Sequence, residues 1–242
     1  MTVTMEEIEE GLTHTNVDIR YDWTRRTDFT PTPEQIERAL TDKDLWVRAA
    51  MAERTDYTPT PEQVERGLTD TAKEVRYYWA WRADITFTPE QIERGLTDED
   101  RDTKLVWVRK KDFHPTPEQI ERGLTDADGQ VREAWAERMD FTPTPEQIER
   151  GLTDVNAWVR SAWAQRTDYD IPQYLVKRLL KDDCEDVVAA CIKRVYIEWT
   201  DAQIQEGLLH PEEVIREAWE HVARRQNAQN MNFLKDDFYP TI

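Results

Sequence analysis

The chain has 242 residues, with 50 acidic against 32 basic side chains for a formal net charge of −18, and a mean hydropathy of −0.83. No apolar run approaches the roughly 18 residues of a membrane-spanning helix, and the start, MTVTMEEIEE, has neither a basic region nor an apolar stretch, so a cytoplasmic protein with no membrane partner is expected. The acidic balance opposes direct binding to nucleic acid and favours a protein partner with a basic surface.

The first helix follows from Ile8 and Leu12, and the same pair of positions returns as Ile36 and Leu40 in the first of five PEQIER or PEQVER motifs. Their prolines fall at Pro33, Pro61, Pro89, Pro117 and Pro145, a spacing of 28 residues without insertion. Val176 with Leu180 and Ile204 with Leu208 continue the frame, which gives about eight repeats starting near residues 5, 33, 61, 89, 117, 145, 173 and 201. We therefore expect one repeat array over residues 1–242, in which each repeat buries its apolar face on its neighbours. From Gln229 the register is lost, and Phe233, Leu234, Phe238 and Tyr239 are expected to fold back as a C-terminal cap over 229–242.

Residues 32–59 show how one repeat folds. Thr32 is a good N-cap, Pro33 suits the first helical position, and Gln35 completes a capping box, so helix A starts there. Ile36 and Leu40 form its apolar stripe, and Glu34 is placed to pair with Arg38 one turn on. Thr41 or Asp42 then offers an N-cap for helix B, which presents Val47, Ala50, Met51 and Arg54 on one face. Pro59 and Pro61 end the repeat in a linker. No segment alternates with period two, so no β-sheet is predicted.

Six of the seven glycines share the register of Ala39, and six of the ten tryptophans share that of Met51. Because alanine is accepted, the glycines mark close helix approach rather than positive φ, and the tryptophans read as a core ladder. Leu179 and Cys191 occupy the two registers in the seventh repeat, which is expected to pack differently. Cys184 and Cys191 sit seven apart on a helix, about 10 Å, too far to bridge.

The segment Val131–Asp154, VREAWAERMDFTPTPEQIERGLTD, resembles the leucine-rich variant repeat, a HEAT-like family. The resemblance covers nearly the whole chain and implies an all-α, right-handed α-α superhelix of paired short helices, one layer longer than the other. The repeats here are longer than the family's, tryptophan replaces a small aliphatic residue, and the family's cysteine-rich iron–sulfur segment has no counterpart. The resemblance therefore carries architecture and no chemistry, and no cofactor is expected.

No catalytic or metal-binding constellation emerges. His14, His114, His210 and His221 lie in different repeats without ligand spacing and read as solvated surface. Asp126, Asp128, Gln130 and Glu137 imitate a calcium loop, but its glycine is misplaced and the segment overlaps helix B. Acidic residues at 98–102 and 182–186 fall in A–B loops, where helix N-termini favour them.

Positions that vary between repeats are free to serve a partner. On helix B these are the registers of Trp46, Ala49 and Glu53, which elsewhere carry Tyr21, Glu74, Tyr77, Trp81, Arg109 and Trp158. Exposed aromatic residues among carboxylates have the composition of an interface hot spot, so these residues form the candidate binding ridge of a non-enzymatic protein-interaction scaffold. The basic run Arg109, Lys110 and Lys111 adds a local cationic patch. An alternative is an acidic mimic of nucleic acid that blocks a DNA- or RNA-binding protein, as phage or mobile-element inhibitors do, built on the Glu34-, Glu37-, Asp42- and Asp56-type carboxylates. A third reading, by fold analogy, is a HEAT-like DNA glycosylase, which needs a basic groove where this chain shows the reverse charge.

Overall fold

The computed structural model describes residues 3–194 and 197–236, with side chains through 228. Backbone contacts divide the chain into two compact units, Met1–Phe113 and His114–Ile242. The first unit holds α1 (Met5–Leu12), α2 (Val17–Arg25), α3 (Pro33–Leu40), α4 (Leu45–Glu53), α5 (Pro61–Leu68), α6 (Lys73–Trp81), α7 (Pro89–Leu96) and α8 (Arg101–Arg109). The second holds α9 (Pro117–Leu124), α10 (Gly129–Ala136), α11 (Pro145–Leu152), α12 (Ala157–Gln165), α13 (Gln173–Leu179), α14 (Glu185–Ile192), α15 (Asp201–Gly207) and α16 (Glu213–Asp236). No strand occurs among the described residues. In both units each odd-numbered A helix packs on the even-numbered B helix that follows it, and each B helix packs on the next B helix of its unit. This is an all-α solenoid of two-helix repeats.

The A helices begin where local chemistry places them. Thr32, Thr60, Thr88, Thr116 and Thr144 each accept from the backbone N–H three residues on, while the glutamine there returns a side-chain bond, and proline stands at the first helical position. Helix B starts later than its sequence implies. Its N-cap in the second repeat is Asp44, and Asp42 instead accepts the Asp44 N–H at 2.9 Å, so the two aspartates form successive turns of one loop. The layers are nearly equal, with α3 and α5 of eight residues against α4 and α6 of nine.

In six of the eight repeats a tryptophan lies on a glycine. A Cβ at Gly11, Gly67, Gly95, Gly123, Gly151 or Gly207 would come closer than 3.0 Å to the indole of Trp23, Trp79, Trp107, Trp135, Trp163 or Trp219, and none of these glycines has positive φ. Where the large residue shrinks, the small one grows: Met51 stands with Ala39, and Cys191 with Leu179, and all four are buried. The seventh repeat thus fills the same volume from the opposite helix.

Repeats are joined by arginine–aspartate rungs. In the first unit Arg20 donates from Nε and Nη2 to Asp42 at 2.7 and 2.9 Å, Arg48 to Asp70 at 2.7 and 2.8 Å, and Arg76 to Asp98 at 2.7 and 2.9 Å. In the second unit Arg132 meets Asp154 and Arg160 meets Asp182 in the same way. The arginine's Nη1 also donates to a carbonyl of its own A–B loop, so one side chain ties two loops together. Val188 replaces arginine in the seventh repeat, and the following repeat has His210 where aspartate would stand. His14 fills that register in the first repeat. Both histidines accept the N–H two residues on through Nδ1, at 3.2 and 3.0 Å, so they are loop-forming rather than free surface residues.

A second arginine closes the B helices. Arg82 donates to Ala52 O, Arg54 O and Tyr57 O of the preceding repeat and pairs with Asp84 at 2.6 Å. Arg166 does the same with Ala136 O, Arg138 O, Phe141 O and Asp168. A cation on the free carbonyls at a helix C-terminus is favourable in both hydrogen bonding and dipole terms. The A helices are bridged by long polar side chains: Arg38 reaches Glu9 at 2.6 Å rather than pairing with Glu34, Arg66 reaches Glu37 at 2.9 Å, and Gln63 donates to Glu37 at 3.0 Å. The C-terminal cap expected at 229–242 lies outside the residues whose side chains are described; the backbone of α16 runs on through Asp236.

Candidate functional site

Within the first unit α4, α6 and α8 lie side by side and run in the same direction. Lys73, the first residue of α6, pairs with Asp100, the N-cap of α8, at 3.0 Å. At the opposite end Lys110 donates to Arg82 O at 3.1 Å, which links the two C-caps. Between them opens a groove of about 750 Å³ lined by Trp46 from α4, Glu74, Tyr77, Tyr78 and Trp81 from α6, and Asp102, Leu105, Val106 and Arg109 from α8.

The aromatic side chains of this groove are presented to solvent. Trp46 is 50% and Trp81 65% exposed, whereas Trp79 and Trp107, one register away, are buried. Tyr77 and Trp81 are one turn apart and stack at 6.1 Å with planes 15° from parallel; Tyr78 meets Tyr77 edge-on at 5.5 Å. Leu105 and Val106 form a buried apolar floor. A rigid stacked pair over an apolar floor loses little conformational entropy when it is covered.

The groove's charges divide along the helix axis. Glu74 and Asp102 lie in the first turns of α6 and α8, and Arg109 in the last turn of α8. Asp102 pairs with Arg101 at 2.8 Å, while Glu74 and Arg109 make no hydrogen bond or ion pair among the described residues. Burial pushes the Asp100 carboxyl up, but the Thr103 N–H and Lys73 outweigh it and hold it below its usual value; Lys73 is raised in turn by Asp100. Lys110 does not extend a surface cationic patch. It takes the place of the helix-closing arginine, lies over the Phe87 ring at 4.7 Å, and is lowered by burial.

The ridge expected from the sequence is thus placed unevenly. Trp46, Glu74, Tyr77, Trp81 and Arg109 come together on this groove. Tyr21 lies under Arg25 at 5.4 Å, and Glu53 lines a smaller depression with Arg25, Arg54 and Asp56. Burial, together with nearby Glu53 and Tyr21, raises the Tyr78 hydroxyl. Trp158 belongs to the second unit, where it is 60% exposed and lines a groove of about 440 Å³ with Glu133, Glu137, Met139 and Asp186. Ala49 is not on an exposed ridge: it is buried, at 1% exposure, whereas Tyr77 in the same register lines the groove. Tyr78 was missed because its register is a buried alanine in other repeats; a tyrosine where Ala50, Ala134 and Ala162 stand was the available signal.

Among the described residues no group of His, Cys, Asp or Glu is arranged to hold a metal ion, and no helix is long and apolar enough to cross a membrane. Asp126 and Asp128 instead accept backbone N–H groups at the start of α10.

A solved structure described as "a leucine-rich repeat variant with a novel repetitive protein structural motif" superposes with a TM-score of 0.60. The two chains are 24% identical over 88% of this chain and 78% of that one. The chain has the leucine-rich variant repeat fold. No protein-family model matches it, and no curated protein is similar to it in sequence. On this leucine-rich variant repeat fold the likeness covers architecture alone; the groove and its aromatic lining are read from this chain's own residues.

Proposed function

We propose that the protein is a non-enzymatic interaction scaffold that grips a protein partner on the B-helix face of its first unit. The observation that carries this reading is the exposure of Trp46 and Trp81 beside the stacked Tyr77, in a chain that buries most of its other tryptophans against glycines. Exposed aromatic anchors over an apolar floor, rimmed by charge, match the centre of a protein interface. The net charge of −18 favours a partner whose remaining surface is basic.

Nucleic-acid mimicry draws on the same net charge, but three of its four carboxylate registers are engaged within the fold. Asp70 is in a rung with Arg48, Asp84 is bound by Arg82, and Glu37 is bound by Arg66. Their field is largely neutralised, which supports the aromatic-anchored reading.

The test is affinity capture of partners at two salt concentrations by the native chain and by a variant carrying Trp46→Ala, Tyr77→Ala and Trp81→Ala, with circular dichroism as a check of fold. Loss of a specific partner by at least about tenfold, persisting at high salt, is expected. A partner kept by the variant, released by salt and displaced by DNA would overturn this reading in favour of mimicry.

A further inference from the structure

The groove has a polarity that the proposed function does not require. Glu74 and Arg109 occupy equivalent rows of parallel helices but differ by seven positions along the axis, since Arg109 is in register with Trp81 and Glu74 precedes Trp81 by seven residues. At about 1.5 Å per residue their levels are roughly 10 Å apart, and packed helix axes lie about 8–10 Å apart, so the two positions are separated by roughly 14 Å. Both make no ion pair among the described residues; Tyr77 and the apolar floor lie between their levels, and Trp81 stands at the level of Arg109.

We propose that the groove selects an extended peptide segment carrying a basic residue and an acidic residue four positions apart, with an apolar side chain between them. This rests on the reading of the groove as a protein-binding site. An extended chain advances about 3.3 Å per residue, so a separation of four positions spans about 13 Å. The cation lies against Glu74 and Asp102, the carboxylate against Arg109, and the apolar residue over Tyr77 and the floor of Leu105 and Val106. A chain of this net charge would draw purely basic partners to its surface at large, so a requirement for an acidic residue is a property of the groove alone.

The experiment uses the full chain and three blocked synthetic pentapeptides, Lys-Ala-Leu-Pro-Glu, Lys-Ala-Leu-Pro-Lys and Glu-Ala-Leu-Pro-Glu, titrated against the indole N–H signals of Trp46 and Trp81 by NMR. The mixed-charge peptide is expected to bind about fivefold more tightly than either single-charge peptide, the amount supplied by exchanging a like-charge contact for a partly exposed ion pair at one end. Arg109→Gln is expected to remove its advantage over the dilysine peptide, and Glu74→Gln its advantage over the diglutamate peptide. Arg109 is exposed and Glu74 half-buried, and circular dichroism verifies the fold of both variants. Equal binding of the dilysine and mixed peptides, or no perturbation of the two indoles by any peptide, overturns the proposal. The scaffold reading stands or falls separately, on whether the triple aromatic variant loses its captured partner.

Discussion

Gly151 lies flat against the indole of Trp163: a Cβ added there would stand closer than 3.0 Å to three ring atoms, in a site where Trp163 is itself fully buried. Gly151→Ala is therefore expected to lower stability by about 1–3 kcal/mol through overpacking. Adding Trp163→Met, which reproduces the Ala39 and Met51 combination of the second repeat, should cost less than the sum of the two single changes. Urea unfolding of the four proteins measures this coupling, and strict additivity would contradict the pairing.

Arg48 and Asp70 form a rung that the fold cannot leave half made. Their side chains are 16% and 11% exposed, so Arg48→Ala strands a carboxylate and is expected to cost about 3 kcal/mol. Combining Arg48→Val with Asp70→His copies the Val188 and His210 arrangement and should recover part of that loss. A double variant no more stable than Arg48→Ala would show that the histidine does not substitute for the rung.

Acid should weaken the molecule in a defined window. Burial acts to raise the carboxyls of Asp42, Asp70 and Asp154, but their arginines and a backbone N–H outweigh it and hold them below the ordinary value. A folded-state pKa below the unfolded one contributes stability that is present above the unfolded value, about 3.9, and is lost as pH falls through the folded value. Urea midpoints should stay level from pH 7 to about 5 and fall below about 4. Protonation also relieves the repulsion of a strongly acidic chain, which acts in the opposite sense. A midpoint that rises on acidification would mean that repulsion, not the rungs, dominates.

The exposed tryptophans should be separable by fluorescence. Trp46, Trp81 and Trp158 are half or more exposed, while Trp79, Trp107, Trp135 and Trp163 are buried. Replacing the first three by phenylalanine is expected to remove most acrylamide-accessible emission while changing stability by no more than about 0.5 kcal/mol. Persistent quenching in that variant would place buried indoles at the surface instead.

Helix A was legible because its signals are local: Thr32, Pro33 and Gln35 specify their own cap within four residues. Helix B was less so, since Asp42 and Asp44 both suit an N-cap and only the rung to Arg20 separates their roles. Ala49 looked exposed because its register varies, yet it is buried while Tyr77 in the same register lines the groove. The fate of the carboxylates was hidden for the same reason, because Arg48 finds Asp70 22 residues ahead and Arg66 finds Glu37 29 residues behind. Trp46, Tyr77 and Trp81 were identifiable as residues out of the core register. That they share a groove with Arg109 followed only from the parallel packing of α4, α6 and α8.

The rungs also bear on how such a chain changes length. Each arginine requires only that the next repeat supply an aspartate at one fixed position, and every repeat from the second to the seventh carries one there. Duplication of residues 61–88 in frame would hand Arg48 and both copies of Arg76 an equivalent partner, and deletion of the same 28 residues would join Arg48 directly to Asp98. Unequal recombination at the repeated coding sequence therefore yields folded products of different reach, with the aromatic groove as the segment gained or lost.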